Sequence, residues 1–272
     1  MPHHEYEPPI ELQDAIKCFW HNSMDFGEQQ VGFRVVPDGY AEIIFYFGTL
    51  YGASPQGDLQ ALPSPFLVGL LNQPAHFYAE NHLEIIGVRC FPWTVFELLG
   101  LPAANDGVRV IAHALARLQA PLAASVQAGR LEEALAQLTR YFRQAREQMA
   151  GDGRLARAGE AMRAAHGTLP VSQVAAAAHA TVRTLERQFK QAAGHTLKDV
   201  SGLMRFEQVR NHLWLHPAAN LAALAPELGY ADQAHLSREF KRYSGTTPAA
   251  FARHARQSRR ALDNDFVAFI QA

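Results

Sequence analysis

The chain is poor in cysteine and in long apolar runs, and both absences narrow the classes of protein it can belong to. Its 272 residues include two cysteines, Cys18 and Cys90, which lack the spacing of a zinc site or a redox pair. Isolated thiols are typical of a reducing cytoplasm. No apolar stretch approaches the roughly 18 residues of a membrane-spanning helix, and no secretion signal opens the sequence. We therefore expect a soluble, cytoplasmic protein.

Catalytic and metal-binding patterns are also missing from the sequence. No Ser/His/Asp set, carboxylate pair or phosphate-binding glycine loop stands in the context that its chemistry needs. His76, His82 and His113 have no accompanying ligand pattern, so ordinary surface histidines explain them better than a metal site. The sequence thus predicts a protein that is not an enzyme and that holds no metal and no cofactor.

Net charge is nearly zero over the whole chain, with 25 basic and 26 acidic residues, but the two halves differ. Residues 1–150 contain 9 Lys or Arg and 16 Asp or Glu, whereas residues 151–272 contain 16 basic and 10 acidic residues. A basic C-terminal half is expected of a surface that contacts DNA phosphates. The length predicts two domains, and the helix-breaking Gly151-Asp152-Gly153 is the natural linker between them.

One segment of the basic half occurs twice. Residues 185–196 (LERQFKQAAGHT) align without gaps with residues 236–247 (LSREFKRYSGTT), and six of the twelve positions are identical. Self-similarity at a period of about 50 residues indicates a duplicated supersecondary unit. Each copy is predicted to be a helix, a tight turn and a second helix, at about 171–194 and about 221–245.

The second copy shows the chemistry that such a helix brings to DNA. Asp232 is expected to cap the helix, because a short carboxylate accepts hydrogen bonds from the amides of the first turn. Leu236 and Phe240, four residues apart, form an apolar stripe that anchors the helix in its domain. The opposite face carries polar and basic side chains that can hydrogen-bond bases or phosphates. A solvated charged face would explain one such helix, but not two copies of the same pattern.

These residues resemble the DNA-binding domain of AraC/XylS-family transcription regulators. The second copy follows the family pattern at Leu224-Ala225, Gly229-Tyr230, Asp232, Leu236, Arg238, Phe240-Lys241, Gly245, Thr247-Pro248 and Arg253. The first copy follows it more loosely, and residues 200–215 resemble the helix that links the two units, with Arg205 at the place of a family arginine.

Two residues depart from the family pattern. Pro226 lacks an amide and is expected to kink or shorten its helix, and His179 occupies a turn position where the family has a small residue.

The resemblance and the side-chain chemistry together predict which residues contact DNA. Arg and Gln suit guanine and adenine edges, Ala can touch a thymine methyl, and cations further along the helix reach phosphates. The predicted base-reading residues are Val182, Arg183, Thr184, Arg187, Gln233, Ala234, His235 and Arg238. The predicted phosphate contacts are Lys190, Lys241 and Arg242. For Arg187 and Arg238, packing or ion pairing inside the domain is the alternative. Two such helices on a rigid linker would enter successive major grooves about 34 Å apart and cover roughly 15–20 base pairs.

The N-terminal half is predicted to be rich in β-strands. Short apolar runs bounded by Pro and Gly cover residues 31–36, 42–47, 66–71, 76–80 and 84–91. They predict a small antiparallel sheet or half-barrel, followed by helices. The pattern PDGxxEIIF, with GVRCxP and LLGLP after it, resembles a domain that often precedes the AraC-type domain in bacterial regulators. That resemblance implies a sensory role and a shape related to the cupin-like domain of sugar-sensing members.

The expected fold class is therefore α+β. Residues 1–150 are predicted to form an antiparallel, β-rich domain with C-terminal helices, which serves as sensor or dimerisation domain. Residues 151–272 are predicted to form an all-α DNA-binding domain of two helix-turn-helix units joined by a linker helix. Between them, the amphipathic stretch with Leu135, Leu138 and Phe142 has two interpretations. Cover for the sheet is favoured, and a dimerisation helix is the alternative.

A sensor pocket is expected to be apolar with a few polar groups. The residues predicted first for effector contact are Trp20, Tyr46, Phe77, Arg89 and Trp93, although core packing or an ion pair is the commoner role of such residues.

The sequence leaves more than one function open. The favoured one is a bacterial one-component activator that binds promoter DNA, contacts RNA polymerase, responds to an unknown small-molecule effector and can form a homodimer. The alternative is a ligand-independent DNA-binding regulator whose N-terminal half serves only for dimerisation or protein interaction. A third, a metal-dependent or catalytic N-terminal half, would require three His or Glu ligands around a metal ion.

Overall fold

The computed structural model describes residues 3–53, 58–101, 107–148, 153–261 and 269–271. An antiparallel sheet with helices makes up the N-terminal half, and helices continue from there to Ala261, so the predicted α+β class is confirmed. Residues 151 and 152 of the predicted linker lie outside the described residues. In the part of the chain that is described, no helix is both long and apolar enough to cross a membrane.

The strand pairings among the described residues are antiparallel, and the sheet is organised around one long strand, β7. The strands are β1 (His4–Tyr6), β2 (Ile16–Asp25), β3 (Val31–Val35), β4 (Ala41–Ala53), β5 (Leu59–Ala61), β6 (Phe66–Val68), β7 (Ala75–Cys90), β8 (Val108–Val110) and β9 (Phe269–Gln271). The main order is β1-β2-β7-β4-β6-β8, while β3 joins β7 to β9 and β5 pairs with β4. The early strand β2 is not among the predicted strands, because polar residues such as His21 and Asn22 interrupt its apolar alternation.

The runs predicted as separate strands at 76–80 and 84–91 form the single strand β7, which bends between them. Asn81 at the bend has φ 57°, a left-handed conformation that Asn adopts more readily than most residues. Opposite it, Gly48 of β4 has φ 132°, and a Cβ there would overlap the carbonyl oxygen of His82. The close approach of the two backbones therefore requires glycine at position 48.

The helices divide into those that cover the sheet and those that follow it. They are α1 (Pro92–Leu99), α2 (Gln119–Gln127), α3 (Leu131–Glu147), α4 (Arg154–Ala164), α5 (Val171–Ala177), α6 (Val182–Ala193), α7 (Leu197–Leu215), α8 (Leu221–Glu227), α9 (Gln233–Ser244) and α10 (Pro248–Ala261). Short 3₁₀ helices cover Ile10–Leu12 and Ala114–Leu118. We call the described residues 3–148 the sheet domain and the described residues 153–261 the helical domain.

Alternate residues of the sheet build separate apolar clusters on its two faces. The outer face carries Ile43, Phe45, Ile86 and Val88, and helices α2 and α3 cover it. Leu135, Leu138 and Phe142 of α3 belong to this cluster, which places the amphipathic stripe in the core of its own chain. The inner face carries Cys18, Trp20, Phe33, Ile44, Tyr46, Phe66, Phe77, Leu83 and Ile85 among its buried residues.

Helix α7 is the axis of the helical domain. It packs against α6, α9 and α10, and its Phe206 lies 5.1 Å from Phe240 and 5.3 Å from Tyr243, measured between ring centroids. A capping box fixes its start: Thr196 Oγ1 accepts from the Asp199 amide at 3.1 Å, and Asp199 Oδ2 accepts from the Thr196 amide at 3.2 Å. The linker helix thus begins at Leu197, three residues before its predicted start.

The two domains share an apolar cluster instead of meeting at a polar surface. Phe91 and Trp93, where β7 passes into α1, pack into the core of the helical domain. Trp93 is fully buried, stacks on Phe91 at 5.5 Å and lies 5.9 Å from the Phe189 ring of α6. The Arg163 guanidinium lies 3.8 Å from the centre of the Phe91 ring and closes the cluster from the side of α4.

Charged groups border this shared cluster on the side of α7. Arg210 is buried and donates from Nη1 to the carbonyl oxygen of Pro37 at 3.2 Å. Glu207, one turn earlier, lies 3.9 Å from the Arg210 guanidinium. On the sheet side, Arg89 Nη2 lies 3.1 Å from Asp38 Oδ2. Cations and carboxylates thus alternate across the boundary between the domains.

The pH dependence of stability is expected to report on Glu207. Burial raises the pKa of its carboxyl to about 7, with Arg210 opposing the shift and Asp38 adding to it. In the unfolded chain a Glu carboxyl has a pKa of about 4.3, so the folded state binds the proton more tightly than the unfolded state does. The free energy of unfolding contributed by this group should therefore decrease as pH rises from about 4.3 to about 7.

Glu207→Gln should remove that dependence, because the amide does not titrate. We expect the variant to be more stable than the wild type at pH 8, with the difference shrinking towards pH 4. Urea denaturation of both proteins at several pH values measures it. A difference that stays constant across this range would contradict the assignment.

A second prediction concerns the turn of the first helix pair. His179 has φ 51°, whereas the equivalent residue of the second pair is Gly229 with φ 76°. The His179 side chain is exposed, so the glycine substitution loses no packing. His179→Gly should raise the free energy of unfolding by about 1 kcal/mol, since a left-handed L-residue costs about 1–2 kcal/mol and glycine costs some chain entropy.

Gly229→Ala is the matched control and should have the opposite effect. A Cβ at Gly229 would meet Thr168 Cγ2 at 2.9 Å in addition to the unfavourable φ. Chemical denaturation of both variants tests the pair, and equal signs would show that backbone conformation does not govern these turns.

Candidate nucleic-acid interface

The two helix pairs, α5 with α6 and α8 with α9, lie where the duplicated sequence predicts them. The second helix of each pair starts with a side-chain cap. Thr181 Oγ1 accepts from the Thr184 amide at 3.2 Å, and Asp232 Oδ1 accepts from the His235 amide at 2.6 Å. The predicted cap at Asp232 is confirmed. These caps order the N-terminal turn of α6 and of α9, and both turns face solvent.

The helix ends are also equivalent in the two copies. Gly194 follows α6 and Gly245 follows α9, and both have φ 73°. The backbone amide of each glycine donates to the carbonyl oxygen of the lysine four residues earlier in the chain. The identical glycines of the sequence repeat are therefore required by left-handed C-caps. Pro226 lies near the end of α8. Helices α5 and α8 are equally long, with seven residues each, so Pro226 does not shorten α8 relative to the first copy.

Most residues predicted to contact DNA are exposed on the polar faces of the two helices. Exposed are Val182, Arg183, Arg187, Lys190, Gln233, Ala234, Arg238, Lys241 and Arg242. Thr184 and His235 are half-buried. The opposite faces are buried through Leu185 and Phe189 in α6 and through Leu236 and Phe240 in α9. Each helix thus presents one polar face outward while the linker-helix core holds the other.

Two of the predicted base-reading residues also take part in the helix caps. Thr184 Oγ1 lies 3.0 Å from the hydroxyl of Thr181. His235 Nδ1 accepts from the Ala231 amide at 3.4 Å, and its ring contacts Tyr230 edge-on at 5.3 Å. These contacts order the first turn of each helix, the part that enters a major groove in helix-turn-helix proteins.

Two of the predicted phosphate contacts have partners within the domain. Lys190 Nζ donates to the carbonyl oxygen of Gly194 at 2.8 Å and so caps the end of its own helix. Arg242 Nη2 lies 3.6 Å from Asp199 Oδ1, which ties α9 to the start of α7. Both side chains are exposed to solvent. Hydrogen bonds and ion pairs at such exposed positions are weak, so they compete little with a phosphate for the cation.

The bridge that holds α9 against the linker helix was not predicted from the sequence. Arg205 Nη2 lies 3.3 Å from both carboxylate oxygens of Glu239, and its Nη1 donates to the Gly167 carbonyl at 3.0 Å. The guanidinium also lies 5.3 Å from the centre of the Tyr230 ring. In α6, Glu186 has a comparable role and accepts from the Leu197 amide at 3.3 Å. The charge pattern within each helix hides these partners, because they come from another helix.

The residues predicted to contact an effector do not form one group. Trp20, Tyr46 and Phe77 lie on the inner face of the sheet, where Phe77 stacks on Phe33 at 5.8 Å. Trp93 lies apart from them, in the cluster between the domains. This separation could not be predicted from the sequence, since an indole that follows a strand fits the core of a sheet and the core of a helical domain equally well.

Arg89 connects the inner face to the boundary between the domains. Its Nε donates to Glu42 Oε1 at 2.6 Å, and Glu42 Oε2 accepts from Trp20 Nε1 at 2.7 Å. Burial raises the pKa of the Glu42 carboxyl, and the Arg89 guanidinium opposes that shift. Burial also raises the pKa of the Cys18 thiol to about 12, so this thiol is protonated at neutral pH.

A metal centre is not formed by the described residues, where no three His, Cys, Asp or Glu side chains come together as ligands. The described residues therefore give no support to the third interpretation, a metal-dependent N-terminal half.

Comparison with known proteins agrees with the two-part architecture. Residues 174–254 match a family described as a helix-turn-helix domain, and residues 4–107 match a domain of unknown function (DUF6597). No curated protein sequence matches the chain.

Among solved structures, the chain is similar to ToxT from Vibrio cholerae and to the AraC-like transcriptional activator CuxR. One ToxT structure, with unsaturated fatty acid bound, is 11% identical, with a TM-score of 0.47 over 86% of this chain and 94% of that one. Another is 10% identical, with a TM-score of 0.46 over 86% and 97%. CuxR is 12% identical, with a TM-score of 0.26 over 80% and 95%. The family match over residues 174–254 and the paired, capped helices of the same region agree that this part of the chain is a helix-turn-helix domain.

Proposed function

We propose that the protein is a one-component regulator that binds a continuous, asymmetric promoter site through α6 and α9, and whose sheet domain binds a small-molecule effector. The observation that carries the proposal is the pair of equivalent helices. Each has an ordered first turn, an outward polar face and a buried apolar face fixed to the same linker helix. Such an arrangement presents two recognition helices to successive major grooves of one duplex.

The division of roles along each helix follows from the chemistry of the exposed side chains. Gln233 and Arg238 of α9, and Arg183 and Arg187 of α6, can hydrogen-bond base edges in the major groove. Lys241 lies further from the N-terminal end of its helix and supplies charge to the phosphate backbone. The excess of basic residues after position 150 adds long-range attraction to DNA, which salt screens.

The effector-binding role of the sheet domain is supported by its inner face. Aromatic residues there adjoin a buried polar group of Trp20, Glu42 and Arg89, and ligand sites typically combine apolar walls with few polar groups. We propose Trp20, Tyr46, Phe77 and Arg89 as the effector contacts. Trp93 is kept as a weaker candidate, because it packs between the domains.

The alternative is a regulator without effector, whose sheet domain only dimerises or binds another protein. Its support is the dense packing of aromatic rings on the inner face, where Phe77 contacts both Phe33 and Phe66. In either case we propose that the protein acts in the bacterial cytoplasm, activates transcription by contacting RNA polymerase, and can do so as a homodimer. The two alternatives differ in whether a small molecule changes the affinity for DNA.

The proposed function is tested by selecting bound DNA from a random pool with the full-length protein. We expect enrichment of an asymmetric site of roughly 15–20 base pairs, the span of two successive major-groove contacts. Arg140→Ala, which removes an exposed arginine from α3, should enrich the same site and serves as control. No enrichment by the wild type would contradict sequence-specific binding.

Single substitutions in α9 should separate base contacts from phosphate contacts. Arg238→Ala should cost about 1–3 kcal/mol at the selected site and relax the preference at one base pair. Lys241→Ala should weaken binding to all sequences alike. It should also reduce the slope of log affinity against log salt concentration by about one, because one fewer counterion is released. Titration of labelled DNA at several salt concentrations measures both. Equal loss on selected and random DNA for Arg238→Ala would make it a phosphate contact instead.

A further inference from the structure

The contact between the sheet domain and the helical domain falls mainly on the first recognition helix. Helix α1 packs against α6 and α4, and Trp93 at its start is fully buried there. A Cβ at Gly159 of α4 would overlap the Trp93 indole, so the indole occupies the space that a side chain at this position would need. On its other side the ring meets Phe189, a buried residue of α6.

The end of α6 is held by the same domain. His195, directly after the Gly194 cap, is buried, and its Nε2 lies 3.0 Å from the carbonyl oxygen of Leu70. Burial lowers the pKa of His195, which favours the neutral ring at pH 7. Helix α6 therefore has two fixed points on the sheet domain, one at its middle and one at its end.

Among the described residues, the second recognition helix has no comparable support from the sheet domain. Helix α9 packs against α7, α8 and α10, which all belong to the helical domain. Its approach to the sheet domain is at Gly245, where an added Cβ would lie 3.7 Å from both Arg34 Nη1 and Pro74 Cγ. Contacts at that distance are ordinary van der Waals contacts at the helix end, away from the DNA-reading turn.

A short covalent path leads from the inner face of the sheet to Trp93. Strand β7 carries Ile85 and Arg89 on that face and ends at Cys90, so Arg89 is four residues from the indole. The Phe91 amide donates to the Ala15 carbonyl at 2.9 Å, which fixes the passage from strand to helix. A displacement of β7 therefore moves α1 directly.

We propose that Trp93 is a positioning residue for α6 and that the sheet domain, through it, sets recognition of the half-site read by α6 while leaving the half-site read by α9 unaffected. The inference rests on the proposed function. A recognition helix that is held in place loses less conformational freedom on binding, so the anchored helix gains discrimination from its anchor. Because the helices that hold α9, namely α7, α8 and α10, all belong to the helical domain, its discrimination is independent of the sheet domain.

The test measures discrimination at each half-site separately in the full-length protein. The selected operator is used with either half scrambled, and Arg187→Ala and Arg238→Ala identify which half each helix reads. Trp93→Ala should reduce the affinity ratio between the operator and its α6-half-scrambled form by about tenfold, the scale of one base contact. The ratio for the α9 half should change by less than about twofold.

A second variant approaches the same contact from the other side. Gly159→Ala leaves Trp93 in the chain but puts a methyl group where the indole lies, and alanine favours the helical conformation of α4. It should give the same selective loss at the α6 half. Trp93→Phe should retain most of the discrimination, because the Trp93 Nε1 has no hydrogen-bond partner among the described residues and packing alone is kept by the smaller ring.

Phe142→Leu is the matched control, since it removes a buried aromatic ring from the outer face of the sheet, away from α6. It should leave both ratios unchanged while lowering the thermal midpoint. Equal losses at both half-sites in Trp93→Ala and Gly159→Ala, unchanged ratios, or a gain at the α6 half would overturn the proposal. An absence of any selected operator for the wild type would instead count against the proposed function and is seen before any variant is made.

Discussion

The burial of Trp93 between α1, α4 and α6 is the contact on which the relation between the two domains depends. A fully buried indole removes a large apolar area from water, and removing such a ring typically costs about 3–5 kcal/mol. Because α4 has a glycine at position 159, the ring fits against the helix backbone itself. The sheet domain and α6 consequently share one core, whereas two domains joined by a linker alone would reorient freely.

Duplication explains the symmetry of the helical domain, and the departures from it mark where each copy has a different neighbour. Both α6 and α9 are capped at the start by a side chain and at the end by a left-handed glycine. After the cap the copies diverge. His195 follows Gly194 and turns into the sheet domain, whereas Thr246 follows Gly245 and stays with its own helices. The two copies of the unit therefore differ in their surroundings. The first copy contacts the sheet domain, and the second packs against the linker helix.

The polar groups between the domains follow the rule that a buried charge requires a partner. Arg89 is satisfied by Glu42 and Asp38, and Arg210 by a backbone carbonyl and Glu207. The ion pairs lie within one domain each, since Arg89, Glu42 and Asp38 belong to the sheet domain and Arg210 and Glu207 to α7. The hydrogen bond from Arg210 Nη1 to the Pro37 carbonyl crosses the boundary, and it restricts sliding of the two domains because its geometry is directional.

The sequence by itself determined the helical domain, since a duplicated pattern with an apolar stripe, a cap residue and an end glycine leaves few conformations open for either copy. It also located most of the sheet and the exposed polar faces of α6 and α9. Only the tertiary structure decided that residues 76–80 and 84–91 are one bent strand, because Asn81 at the bend exchanges backbone hydrogen bonds with Phe26 and Gly27, which are distant in sequence. The separation of Trp93 from the inner face, and the partner of Arg205, were decided in the same way. Contacts between residues distant in sequence leave no periodicity, so spacing along the chain carries no trace of them.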